Sequence, residues 1–258
     1  MKKLSRRSAA VALSFGLVLS ALSVSAAAQK KGTAAGTKSS AQSTVKFTPK
    51  RSKDATRHAN DAARVLREVM SVPERAIPRD LLEGAEAVAV CPGVLSAAFI
   101  VGGRKGDCVI SRRTQKKGWG SPVFYNMAGG SFGAQIGGQK TDFVLLFMND
   151  EALKGMMEDK FEIGGEVGVA AGPVGRSLGV GTNPTLDAGI LSYARSKGAF
   201  IGAALKGVAI TPDNDLNEAF YGKKAAELLA VRADAPTPAA VRAFPLQINR
   251  YSVRLPNN

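Results

Sequence analysis

Residues 128–138 read Ala-Gly-Gly-Ser-Phe-Gly-Ala-Gln-Ile-Gly-Gly, residues 141–149 read Thr-Asp-Phe-Val-Leu-Leu-Phe-Met-Asn, and residues 164–177 read Gly-Gly-Glu-Val-Gly-Val-Ala-Ala-Gly-Pro-Val-Gly-Arg-Ser. Glycine recurs every fourth position at Gly129, Gly133 and Gly137, and again at Gly164, Gly168 and Gly172. In a helix each glycine costs roughly 1 kcal/mol relative to alanine, whereas strands accept glycine at bends, bulges and close backbone approaches. The centre of the chain therefore reads as a tightly curved β-structure.

Working outward, Asp54 to Met70 carries Ala55, Ala59, Ala62, Leu66 and Val69 at helical spacing, which predicts an amphipathic helix. Its other face mixes Arg57, Asp61, Arg64 and Glu68, which favours docking on the protein's own core over a membrane surface. His58, the single histidine, is expected to face solvent. Strands are expected over 88–92, 95–101, 107–112, 123–125, 143–148, 161–169, 186–194 and 200–210, with Pro92-Gly93 as a turn and 102–106 as a hairpin. Asn149 to Glu151 is read as a helix start, and Pro212 to Asp215 caps a last helix reaching about Val231. Residues 239–258 are expected to add an edge strand or stay loose. The fold class is α+β: mostly antiparallel strands in a curved barrel-like or two-sheet body, with helices at the N- and C-terminal ends.

The chain divides into a signal peptide (1–28), a disordered cationic tail (29–53), the folded domain (54–231) and a C-terminal linker and tail (232–258). The first segment has a cationic start, an apolar run from Ala9 to Val24 and Ala26-Ala27-Ala28, the pattern of an export signal. An exported protein, periplasmic or secreted, is expected. Of the net charge of +14, the start supplies +4 and residues 30–53 supply +7, which leaves +3 for the remainder. A nucleic-acid-binding domain carries its basic patch in the fold itself, so no nucleic acid is expected. Cys91 and Cys108 are read either as a disulfide or as two separate core residues, and two cysteines with one histidine do not make a four-ligand zinc site. No metal or cofactor is expected.

Gly129-Gly130-Ser131-Phe132-Gly133 fits a nucleophile elbow, but Ser131 needs a base and His58 stands on the first helix without matching context. A serine hydrolase at Ser131 is the remote alternative. A phosphate loop at 133–141 fails because Gln139 stands where lysine must follow glycine. The dense basic cluster within the domain is Arg112, Arg113, Lys116 and Lys117 beside Trp119. With Arg104 and Lys105 it forms the candidate lipid-binding set, Trp119 being read as an interfacial anchor.

Gly129 to Gly137, Thr141 to Leu145, Lys160-Phe161, Ala170 to Arg176, Ile190 to Gly198 and Asn217 to Gly222 together resemble the SYLF domain. The resemblance covers roughly Asp54 to Val231. It implies a lipid-binding module, for phosphoinositide or other anionic lipid, with actin binding in some eukaryotic members and no enzyme activity. With export expected, actin is not expected as a partner here. The reading is a non-enzymatic binder of anionic membrane lipid in the cell envelope; the alternative is a structural or ligand-storing envelope protein around a small apolar ligand.

Overall fold

A computed structural model describes residues 49–252 apart from 99–100, 133–136, 159, 166, 176–187, 197–198, 204, 206 and 234. The expected signal peptide and nearly all of the expected tail lie outside the described residues.

Among the described residues nine strands form one sheet in the order β5-β9-β3-β2-β1-β4-β7-β6, with β8 also on β7. They are β1 (Ala87–Ala98), β2 (Val101–Arg112), β3 (Val123–Phe132), β4 (Gly137–Phe147), β5 (Phe161–Ile163), β6 (Val169–Ala171), β7 (Ile190–Ser196), β8 (Ala199–Gly202) and β9 (Val208–Pro212). Only β6 and β7 run parallel; every other pair is antiparallel. The outermost strands, β5 and β6, are consecutive in the chain, so the sheet curls into a nearly closed barrel. The α+β, barrel-like expectation is met.

Alternation along the strands separates two cores. Inside the barrel lie Ala89, Cys91, Cys108, Tyr125, Phe143 and Leu145, together with Leu153 and Leu229. Outside, Val90, Val109, Phe124, Leu146 and Tyr193 pack against helices through Leu66, Leu82, Leu216 and Phe244. Burial on both faces explains why Ala87 to Cys91 is apolar without interruption. A disulfide joins Cys91 and Cys108, whose Cα atoms lie 4.1 Å apart across β1 and β2.

The helices are α1 (Pro49–Val69), α2 (Arg79–Gly84), α3 (Asp150–Lys154), α4 (Asn214–Tyr221), α5 (Ala225–Ala230) and α6 (Ala243–Ser252), with a short 3-10 turn at Gly155–Met157. α1 starts within the segment expected to be a disordered tail, five residues before Asp54. Its stripe of Ala55, Ala59, Ala62, Leu66 and Val69 is buried as the spacing predicts. Asn149 does cap α3, accepting from the Ala152 N–H at 2.8 Å.

Several boundaries differ for identifiable reasons. Residues 102–106 are not a hairpin but lie inside β2. The glycine at 106 answers a packing demand: a Cβ there would sit 2.8 Å from Val94 Cγ2. Pro92-Gly93 is not a turn between strands but a bulge within β1, where the register shifts and Gly93 takes φ +57°. Gly222, at φ +69°, ends α4 in the left-handed conformation and splits the expected single last helix in two. The C-terminal segment forms α6 rather than an edge strand or a loose tail: Val241, Phe244 and Ile248 are fully buried against the helical side of the core.

Candidate functional site

The strand register sorts the predicted basic residues to opposite ends of the barrel. The hairpin ends of β1–β2, β3–β4 and β7–β8 gather at one end, where Ala98 pairs with both Gly102 and Gly137. Arg104 and Lys105 belong to this end. Arg112, Arg113, Lys116, Lys117 and Trp119 belong to the other, since Lys105 and Arg112 are seven positions apart on one strand, roughly 23 Å. The set read as one patch is two.

At the far end, most of the charge is structural. Arg112 donates to the Leu229 carbonyl at 2.6 Å and to Asp150 at 2.9 Å. Arg113 donates to the carbonyls of Ala85, Leu82 and Lys117 and lies 4.3 Å over the Trp119 ring. Trp119 is 8 % exposed and its Nε1 donates to Ser252 Oγ, so it is a core residue that pins α6 and not an interfacial anchor. Lys116 and Lys117 are exposed, but Glu83 and Glu86 share their cavity and dilute the positive field.

The hairpin end differs. On the outer sheet face Leu95 lies between Lys105 and Lys140. Both lysines are exposed, and Leu95 is 56 % exposed. Adjacent strands are about 4.8 Å apart, so two ammonium groups flank one apolar side chain in a single row. Ile201 on β8 adds a second exposed apolar residue at this end. The sequence from 94 to 106, from 127 to 141 and from 192 to 212 contains no Asp or Glu. Arg104, by strand alternation, faces the barrel interior, 5.8 Å over the Phe143 ring. Burial lowers its pKa below the ordinary arginine value.

Between this row and α1 sits a charged network around a cavity of about 540 Å³, which Lys140 lines together with Asp61, Arg64, Asp142 and Arg195. Both of these acids face arginines, Asp61 meeting Arg64 and Asp142 meeting Arg195. Asp142 accepts from the Gly93 N–H at 2.7 Å, holding the bulge, and from Arg195 at 2.9 and 2.6 Å. Arg195 also meets Glu68, which pairs with Arg64. This clamps α1 to the barrel. Burial alone would raise the Glu68 carboxyl, but hydrogen bonds and charge from Arg195 and Arg64 outweigh it and lower its pKa. A depressed folded-state carboxyl adds stability above its unfolded pKa and loses it as pH falls through the folded value. Glu68→Gln is therefore expected to flatten the loss of stability below pH about 4.5, read as urea midpoints across the acid range. Parallel acid limbs for both proteins would contradict this.

His58 does not face solvent. Its side chain is 14 % exposed, 3.5 Å from Asp107, with its ring edge toward Phe124. Ser131 lies on the strand of Phe124, seven positions on, roughly 23 Å away, so His58 is not placed as a base for Ser131. Among the described residues no group of three or more His, Cys, Asp or Glu is placed to hold a metal. Among them too, no helix is long and apolar enough to cross a membrane.

The class defined so far is a helix-dressed antiparallel barrel with a basic, partly apolar hairpin end. Residues 128–251 match the family described as "Ysc84: Las17-binding protein actin regulator". The chain is 33% identical over 171 residues to "LAS seventeen-binding protein 3" of Saccharomyces cerevisiae, covering 65% of this chain and 37% of the relative. It is 32% identical over 187 residues to "Protein YSC84" of the same yeast, covering 69% and 40%. It is 29% identical over 187 residues to "SH3 domain-containing YSC84-like protein 1" of Rattus norvegicus, covering 70% and 55%. The chain thus matches less than two thirds of these relatives' lengths. It belongs to the Ysc84/SYLF-domain family.

Two expectations are corrected by these names. Actin was not expected as a partner, yet the family is described as a Las17-binding actin regulator and one of the yeast relatives is named for Las17 binding. Export to a periplasmic or secreted location was expected, yet the relatives are yeast and vertebrate proteins named for that actin-regulator family. α6 was missed although Val241, Phe244 and Ile248 have helical spacing; Pro236, Pro238 and Pro245 masked the signal.

Proposed function

We propose that this domain is a non-enzymatic binding module that docks its hairpin end on anionic membrane lipid. The observation that carries the reading is the exposed Lys105–Leu95–Lys140 row on hairpins without an acidic residue. Lysines near anionic headgroups gain about 1 kcal/mol each, and Leu95 enters the interface between them. The basic residues of 30–53 add long-range attraction.

Co-sedimentation with phosphatidylcholine–phosphatidylserine vesicles tests it. The full chain is expected to pellet at low salt and to be released at high salt. Lys105→Glu with Lys140→Glu is expected to weaken binding at least roughly thirtyfold, whereas Lys116→Glu with Lys117→Glu leaves it close to wild type. No pelleting at low salt, or equal loss from both pairs, contradicts the reading. The names of the relatives favour a second role, contact with an actin-pathway protein; co-sedimentation with actin filaments tests it, and its absence removes that role.

A further inference from the structure

We propose that the mouth of the barrel at the hairpin end is a binding site for one phosphate group, gripped by Arg104 and ringed by Ser96, Gln139 and Ser196. The inference rests on the membrane-docking reading for the source of the phosphate, but not for the site itself. Residues on the inner face alternate with the outer ones, and Val94, Cys108 and Phe143 mark the inner face of β1, β2 and β4. Ser96, Arg104, Gln139 and Thr141 follow the same alternation toward the hairpin tips. Ser96 stands opposite both Arg104 and Gln139. Gln139 Nε2 donates to Ser196 Oγ at 2.6 Å and to Thr141 Oγ1 at 3.3 Å. Ser196 Oγ, an acceptor in that bond, keeps its own O–H to donate.

Arg104 is what makes this cup more than a polar lining. It is half-buried, its Nε is sealed from solvent without a hydrogen-bond partner, and its guanidinium lies over the face of Phe143. Stacking uses the face of the group and leaves its N–H edge for an acceptor. A buried charge is ordinarily paired, and among the described residues no carboxylate meets this one. Asp107 is engaged with His58 and Asp142 with Gly93 and Arg195. Arg64, Arg112, Arg113 and Arg195, by contrast, all have partners. The Arg104 guanidinium on β2 and the hydroxyls of Ser96 on β1 and Ser196 on β7, oriented by Gln139, supply donors that suit a tetrahedral oxyanion with several free oxygens. A charged, partly desolvated site of this kind binds anions more strongly than an exposed lysine.

The test uses the full chain, wild type and Arg104→Gln, with two probes. Glycerol 3-phosphate in solution, followed by calorimetry, reads the site without a membrane. Vesicles of phosphatidylcholine with phosphatidic acid, compared with phosphatidylserine vesicles of matched charge, read it at a surface. Wild type is expected to bind glycerol 3-phosphate and to prefer phosphatidic acid, and Arg104→Gln to lose about tenfold or more in each. Because the substitution removes an unpaired, half-buried charge, its thermal midpoint without ligand is expected to equal or exceed that of wild type, which separates lost binding from lost folding. Phosphate binding lost in Arg104→Gln with no vesicle binding by wild type keeps the site and overturns the membrane reading. Vesicle binding that is unaltered in Arg104→Gln, without any preference for phosphatidic acid, keeps the membrane reading and overturns the site.

Discussion

Asn217→Ala is expected to lower the unfolding free energy by about 3 kcal/mol, seen as a lower urea midpoint at unchanged slope. β9 pairs with β3 only from Tyr125 to Gly129, so at Phe124 the edge of β3 has lost its neighbour. Asn217, on α4 and wholly buried, takes the missing strand's place. Its Oδ1 accepts from the Phe124 N–H at 3.0 Å and its Nδ2 donates to the Phe124 carbonyl at 2.8 Å. The carbonyl has a second donor in the Asp213 N–H, but the Phe124 N–H relies on Asn217. Alanine therefore leaves a buried donor unsatisfied and loosens the edge contact of Phe124 with Phe220 and its stack with Tyr221. A loss under about 1 kcal/mol would show that water reaches this N–H.

Gly202→Ala is expected to cost about 3 kcal/mol or more, with loss of the folded baseline at physiological temperature as its extreme form. β6 and β8 lie along the same edge of β7 and meet at Ser192. The Gly172 and Ala203 N–H groups both donate to the Ser192 carbonyl at 3.0 Å, and Ser192 Oγ bonds the carbonyls of Ala170 and Ala203. That convergence brings the backbone of β8 against the segment following β6. A Cβ at Gly202 would overlap the carbonyl oxygen of Gly172, and a Cβ at Gly172 would overlap the Tyr193 ring. The obstacle at Gly202 is backbone, and the Tyr193 ring is held by its stack on Phe200. By contrast Gly138, which has open space around its Cβ position, is expected to accept alanine with a change near zero. Equal tolerance at 202 and 138 would mean that the β6–β8 junction is looser than this packing.

The contrast explains which parts of the molecule were legible. The helix stripe of α1, the cap at Asn149 and the antiparallel barrel-like body are set by local periodicity and turn chemistry, and the residues carry those signals directly. The glycines of the central stretch were legible as β-structure but not by position. Gly129 closely approaches Gly207 and Val208, and Gly172 the Tyr193 ring, across separations in sequence that no local pattern encodes. The residues behind the family resemblance turn out to act inward. Asp142 and Arg195 hold the Gly93 bulge and α1, Tyr193 stacks on Phe200, and Asn217 completes β3. They mark the fold, so they do not mark the surface that meets a partner.

The candidate site was half legible for the same reason. Basic residues can be counted along a sequence, but their partners cannot. Arg112 and Arg113 looked free because Leu229, Asp150, Ala85 and Leu82, which they bind, are distant or unmarked as acceptors. Lys140 was overlooked because its neighbour Leu95 is 45 positions away in sequence and adjacent only through the β1–β4 register. Trp119 fitted an interfacial role by type alone; burial against Ser252 and Arg113 assigns it to the core.

Hydrogen exchange of the full chain, with and without anionic vesicles, tests the docking geometry most directly. Vesicles are expected to slow exchange at Leu95 to Ala98, Gly102 to Lys105 and Gly138 to Thr141, with exchange at Arg113 to Gly120 unchanged. Protection centred on 113–120, with the hairpin end exchanging as it does in free protein, would contradict it.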